Sequence, residues 1–330
     1  MDARPFPVRF REYVSERFPP AKTGLLVGAF SSASVTASAI LGGRALPGWE
    51  TYAIAFAVAL SALFQLRVLD EYKDAEDDAR YRPERPVPRG LVTQRELWEV
   101  GWSSVALSIG LLLLLDWRLP LVYLGVLAFM ALMTVHFFVP QERPNLLPED
   151  VLIGGKLIPA RRPDLPGNSV FTLLSHMLVM PLIDFLVTAC EWLPTGEPPP
   201  FGLWLFLGLS FVNGCVVEIG RKAWAPENER LGVDTYSARW GHRATGSALI
   251  AAGFAAVTLI SRLGGHTATP WLYLAGLVIV IPLSIAGIAY HRNPSPANQD
   301  RIELVSGLFV FLSYMAAGYL PLLNRYLSGQ

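Results

Sequence analysis

The sequence predicts an all-α integral membrane protein, with nine transmembrane helices around a central cavity and short cap elements at one membrane end. Three observations lead there. Hydrophobic residues make up 52% of the 330 residues and charged residues only 16%. Nine apolar runs recur, at about 23–43, 49–69, 97–116, 119–139, 169–192, 201–220, 244–263, 270–291 and 302–323, each near the ~20 residues a spanning helix needs. Finally, the cations sort by loop. With the N-terminus in the cytoplasm, 23 of the 27 Lys and Arg residues fall in the N-terminal segment or at the loops after the even-numbered runs. Only Arg44, Arg118, Arg262 and Arg325 fall on the other face. This asymmetry fits the positive-inside rule. It predicts a bacterial-type inner-membrane protein with its highly charged loops in the cytoplasm.

The chain divides into an N-terminal interfacial segment, 1–22, and a single transmembrane domain, 23–330. In the first segment Phe6, Val8, Phe10, Tyr13, Val14 and Phe18 are interspersed with Arg9, Arg11 and Arg17, which suits a helix lying on the membrane surface. Met1 to Pro20 lacks the apolar core and small-residue cleavage site of a secretory signal. In the first span Gly28, Ser31, Ser32 and Ala33 allow close helix packing, within the chain or across a dimer. The fourth span closes near His136, a candidate lining residue or an interfacial one. A proline-rich, basic insertion follows at about 140–168, where Val151 to Ile158 suits a short strand or hairpin edge. A lid and an inert insertion are both open for it. The fifth span carries His176 and Asp184 two turns apart, and Pro194–Pro200 forms a tight connector on the opposite face. Cys190 and Cys215 lie in apolar runs, without metal-type spacing, and read as buried inert thiols. Net charge is zero, and no nucleic-acid partner is expected.

The stretch that organises the chain is Asp70 to Gly90, directly after the second span. On a helix Glu71, Asp74 and Asp78 share one face, and Asp70 joins it one turn before Asp74. Like charges this close repel unless something neutralises them. Mg2+ takes oxygen ligands and usually binds one or two carboxylates together with substrate phosphates. Arg82, Arg85 and Arg89 follow with fork-shaped donors suited to phosphate. A solvated acidic helix end is the plainer alternative. A second charged cluster closes the sixth span: Glu218, Arg221 and Lys222 at i, i+3 and i+4, then Glu227, Glu229 and Arg230, then Gly232-Val233-Asp234-Thr235. A snorkelling helix end with internal ion pairs is the plainer reading of that one.

The chain resembles the UbiA superfamily of intramembrane prenyltransferases. That family carries Asn-Asp-x-x-Asp-x-x-x-Asp, followed by Arg-Pro-x-Arg-Pro-x-x-x-Gly. Here the first part stands as Asp70-Glu71-x-x-Asp74-x-x-x-Asp78 and the second as Arg82-Pro83-Glu84-Arg85-Pro86-Val87-Pro88-Arg89-Gly90. The second family motif is matched less faithfully. Its Gly-x-x-Thr turn is Gly232-Val233-Asp234-Thr235 and Glu218 fills an acidic position, but Arg221 and Lys222 stand where an acid is common. Glu227 or Glu229 is a candidate for the missing carboxylate.

The resemblance implies nine helices and an isoprenyl diphosphate substrate, its head at the acidic motifs and its tail among the helices. It implies Mg2+ on Asp70, Glu71, Asp74, Asp78 and Glu218, with Asp74, Asp78 and Glu218 catalytic. Lys73, Arg82, Arg85, Arg221 and Lys222 would bind the diphosphate. The expected activity is transfer of the prenyl cation to a lipophilic, aromatic acceptor. The alternative is a terpene cyclase of the same superfamily, which needs no acceptor. Tyr72, Trp224, Tyr236 and Phe211 could face the cation or simply pack. From a different class, a transporter for a metal ion or small solute would place carboxylates near the bilayer midplane, as Asp184 is placed. The acid clusters at one membrane end argue against it.

Overall fold

The computed structural model describes residues 2–134, 151–153, 156–158, 166–230 and 232–329. His136, Arg143, Arg161 and Arg162 lie outside the described residues. In chain order the helices are α1 (Phe6–Arg17), α2 (Pro20–Leu41), α3 (Trp49–Lys73), α4 (Ala75–Tyr81), α5 (Gln94–Leu113), α6 (Leu119–Thr134) and α7 (Pro166–Met177). Then come α8 (Val179–Trp192), α9 (Leu203–Arg221), α10 (Tyr236–Trp240), α11 (His242–His266), α12 (Leu272–Arg292) and α13 (Pro296–Leu327). Two short strands, β1 (Val151–Ile153) and β2 (Lys156–Ile158), pair antiparallel with Val151 opposite Ile158, in the segment expected to form a hairpin.

Eight helical stretches among the described residues are long and apolar enough to cross a membrane, α7 and α8 together forming one of them. The shorter apolar helix α6 lies between the third and fourth of these. They fall on the predicted runs in order, and the chain is an all-α integral membrane protein. Side chains such as Leu114, Val278, Ile281 and Ile285 point outward, which suits contact with lipid. Inside, small residues set the spacing. Lipid tails are as apolar as leucine, so helices in a bilayer gain by close packing. Ser31, Ala33, Ser34, Ala37 and Ser38 of α2 are buried, and the helix lies against α3, α8 and α13. At Gly318 of α13 an added Cβ would come within 2.7 Å of the Ala33 Cα. The small-residue face of α2 therefore packs within the chain.

The N-terminal segment is more than a surface helix. Tyr13 is fully buried in a small core with Phe64, Val68, Leu91, Val92 and Leu97, and Phe10 and Phe18 set their rings edge-on to Phe64 at 6.1 and 5.7 Å. Arg9 donates to the Leu91 carbonyl and to Glu96. Glu96 also closes the capping box with Thr93 that starts α5. These contacts tie α1 to the end of α3 and to the turn before α5, where the first charged motif lies.

Candidate active site

The first motif does not form one continuous acidic face. α3 stops at Lys73, Asp74 takes non-helical angles (φ −93°, ψ 9°), and α4 restarts at Ala75. The break separates the carboxylates: Glu71 and Asp78 take cations of their own, while Asp70 and Asp74 share Lys73. Glu71 is 2% exposed, and the Arg17 Nε donates to its Oε1 at 2.7 Å. Asp78 is equally buried, between Arg82 at 2.5 Å and Arg85 at 2.6 Å. Asp70 and Asp74 remain about a third exposed, each with the Lys73 Nζ only at 3.8 Å, and Arg67 reaches Asp70 at 3.4 Å. Among the described residues no three His, Cys, Asp or Glu side chains converge as a metal cluster. The expectation of one helical face holding Asp70, Glu71, Asp74 and Asp78 is corrected accordingly. Mutual repulsion at helical spacing is relieved by breaking the helix and pairing each acid with a base.

The arginine–proline turn is anchored rather than free. Arg89 donates to Glu16 at 2.7 Å and to Glu12 at 3.2 Å, both on α1. Burial pulls the Arg85 guanidinium below its ordinary pKa, partly offset by its hydrogen bond to Asp78. A buried cation of this kind is poorly hydrated and gains strongly from an anion.

At the end of α9, Glu218 accepts from Arg221 at 2.5 Å and from Lys222 at 2.9 Å. Lys222 also stands over the Tyr236 ring, 5.6 Å from its centroid. The two clusters share one end of the bundle. His176 lies in the field of Lys73, Lys222 and Glu218. Asp70 acts electrostatically on both Arg67 and Arg221. The loops also touch: Arg230 pairs with Glu84 at 2.9 Å. Gly232, at φ +73°, presses its backbone on the Tyr81 ring, where a Cβ would overlap it. Only glycine meets both demands at this turn.

Glu229 is engaged within its own turn. Its carboxylate accepts from the Thr235 hydroxyl at 2.8 Å and the Ser237 hydroxyl at 2.6 Å. Thr235 in turn caps α10 by accepting from the Ala238 amide. Glu227 is exposed. Among the aromatic candidates, Tyr72 donates to the Gln94 carbonyl and packs on Trp98, so it turns toward α5. Tyr236 is buried against Trp240, with ring centroids 4.3 Å apart. His176 Nδ1 is 2.9 Å from the Thr172 carbonyl and is not the partner of Asp184. Two hollows lined by described residues lie elsewhere. One, about 410 Å3, is lined by Asp2, Arg4, Glu12, Arg89 and Leu91. The other, about 280 Å3, is lined by Gly43, His266 and Asn324 among others. Neither lies between the two clusters, where the central cavity was expected.

Sequence reasoning passed over Arg17 and Arg67 as parts of the site and named Arg230 in the second cluster without a role. Arg17 had a signal: Phe6, Phe10, Tyr13 and Arg17 share one face of a helix, so the cation rides on the face that packs. Arg67 sits one turn before Asp70. Arg230 had no local signal, because its partner Glu84 is far away in the chain.

Residues 31–139 match the model described as the UbiA prenyltransferase family. No curated protein matches the chain. Two solved structures of a UbiA homolog from Archaeoglobus fulgidus, one bound to DMAPP and Mg2+, align with 13% identity and a TM-score of 0.48. Each alignment covers 93% of this chain and 99% of that one. The matched residues include the first acidic cluster and the arginine–proline turn, so about a third of the chain is similar to that family.

Proposed function

We propose that this protein is a Mg2+-dependent intramembrane enzyme that ionises an isoprenyl diphosphate and transfers the prenyl cation to a lipophilic, aromatic acceptor. The observation that carries the reading is the meeting of two charged loops at one membrane end, where Arg230 of the second pairs with Glu84 of the first at 2.9 Å. The concentration of Lys and Arg in these loops supports a cytoplasmic mouth.

The residues divide by chemistry. Asp70 and Asp74 are partly exposed and only loosely tied to Lys73. They fit Mg2+, which needs no more than one or two carboxylates when phosphate completes its shell. Bound there, the metal would supply charge neutralisation to the departing diphosphate. Asp78 holds Arg82 and Arg85 in place, and Glu218 holds Arg221 and Lys222. These guanidinium and ammonium groups, with Lys73, donate charge-assisted hydrogen bonds to phosphate oxygens. Glu71 fixes Arg17 and so keeps α1 on the site. The allylic cation left behind must be kept from water, and the apolar bundle below the loops provides that exclusion.

A cyclase is the second reading. It is favoured by Arg221 and Lys222, which stand where the transferase pattern often has an acid and are both bound to Glu218. Incubation with farnesyl or geranylgeranyl diphosphate alone separates the two. The transferase reading expects no cyclic product without acceptor. A cyclic hydrocarbon or terpene alcohol formed from the diphosphate alone would overturn it.

A further inference from the structure

Deep in the bundle, four helices bring a second set of oxygen atoms together. Asp184 of α8, Ser210 and Asn213 of α9, Ser34 of α2 and Tyr314 of α13 are all at most 2% exposed. The Ser34 and Ser210 hydroxyls face the Asp184 carboxyl group. The Tyr314 hydroxyl faces Asn213 and lies in the field of Asp184, and it hydrogen-bonds Ser210 at 2.9 Å. Yet both carboxyl oxygens of Asp184 and both polar atoms of the Asn213 amide lack a hydrogen-bond partner among the described residues. Native proteins seldom leave so many adjacent buried polar atoms unsatisfied. This set lies deeper than the diphosphate site: on α9, Ser210 and Asn213 precede Glu218 by roughly 12 and 7.5 Å of helix.

We propose that Asp184, Ser210, Asn213 and Ser34 form a binding site for one dehydrated Na+ ion. The donors point to a hard cation, since a carboxylate, an amide carbonyl and hydroxyls are all oxygen ligands. The charge points to a monovalent one. A single carboxylate neutralises one positive charge, and a divalent ion would leave a net charge buried in the bilayer. A proton on Asp184 is the competing way to neutralise the group, and its signature is a stability that follows pH rather than Na+. An ion shared by α2, α8 and α9 satisfies these oxygens together and fastens the helices at mid-bundle.

The test is thermal unfolding of the purified full chain in detergent, at constant ionic strength, with Na+ replacing choline. An ion that binds only the folded state should raise the Tm by several degrees, increasing with the Na+ concentration. K+ should do markedly less. Asp184→Asn should abolish the response while keeping the shape of the side chain. If that variant fails to fold, Asn213→Leu serves instead, and should shift the Na+ titration to higher concentration by about tenfold or more. Equilibrium dialysis with radioactive sodium should find one ion per wild-type chain. A wild-type Tm equal in Na+, K+ and choline, no bound sodium, or a Tm that follows pH but not Na+ would overturn the proposal. None of these readouts involves a diphosphate, so the result stands apart from the proposed enzyme activity.

Discussion

The Arg17 guanidinium of α1 donates to the buried Glu71 carboxylate of α3 at 2.7 Å. The N-terminal helix is thereby joined to the first charged motif by an ion pair with little water around it. The pair accounts for the burial of Glu71, since a lone carboxylate in that position would be costly.

Arg17→Leu leaves Glu71 buried without its partner. The expected loss is about 3 kcal/mol of stability, within the range for removing one member of a buried pair. Arg17→Leu combined with Glu71→Leu should recover most of it. Thermal unfolding in detergent checks both, and a double variant no more stable than the single one would show that the pair is not the cause.

Arg85 and Asp78 act as a unit in this account. Arg85→Ala removes a charge-assisted donor and should raise KM for the diphosphate by about tenfold to a hundredfold, the equivalent of roughly 1.5–3 kcal/mol. Asp78→Ala frees both arginines and should move KM in the same direction, with the Mg2+ concentration for half-maximal rate unchanged. Steady-state kinetics across a Mg2+ titration decide it. A shifted Mg2+ requirement in Asp78→Ala would assign that carboxylate to the metal instead.

Glu229 holds a turn together through two hydroxyls. Glu229→Ala should therefore cost about 1–3 kcal/mol through the unsatisfied Thr235 and Ser237 groups it leaves. Its Mg2+ dependence should match wild type. An unaltered Tm with a weakened Mg2+ response would reverse the assignment.

Much of this was legible in the chain itself. Spanning helices announce themselves by length and apolarity, because backbone groups in a bilayer must be satisfied internally. The Asp70 to Gly90 stretch was recognisable because its residue types and spacing are local. The helix break at Asp74 was not. Helical periodicity places Glu71, Asp74 and Asp78 on one face, and only the cations arriving from α1 and from the Arg82 to Arg85 turn show why that face is divided. Glu229 looked available as a ligand because its hydroxyl partners, six and eight residues on, mean nothing until the turn at Gly232 folds them back. Asp184 was visible as an intramembrane carboxylate, with His176 two turns away on the same span. The helix places His176 among Lys73, Lys222 and Glu218, and Asp184 among residues of α2 and α9.

The most direct measurement is diphosphate release from an allylic isoprenyl diphosphate by the purified protein with a lipophilic acceptor, comparing wild type with Asp70→Ala and Asp74→Ala. Wild type should release diphosphate with Mg2+ and stop with EDTA. Each variant should lose at least about a hundredfold in rate, as expected for removal of a dominant electrostatic contribution, while keeping a wild-type unfolding transition. Normal release by both variants, or wild-type release undiminished by EDTA, would contradict the account.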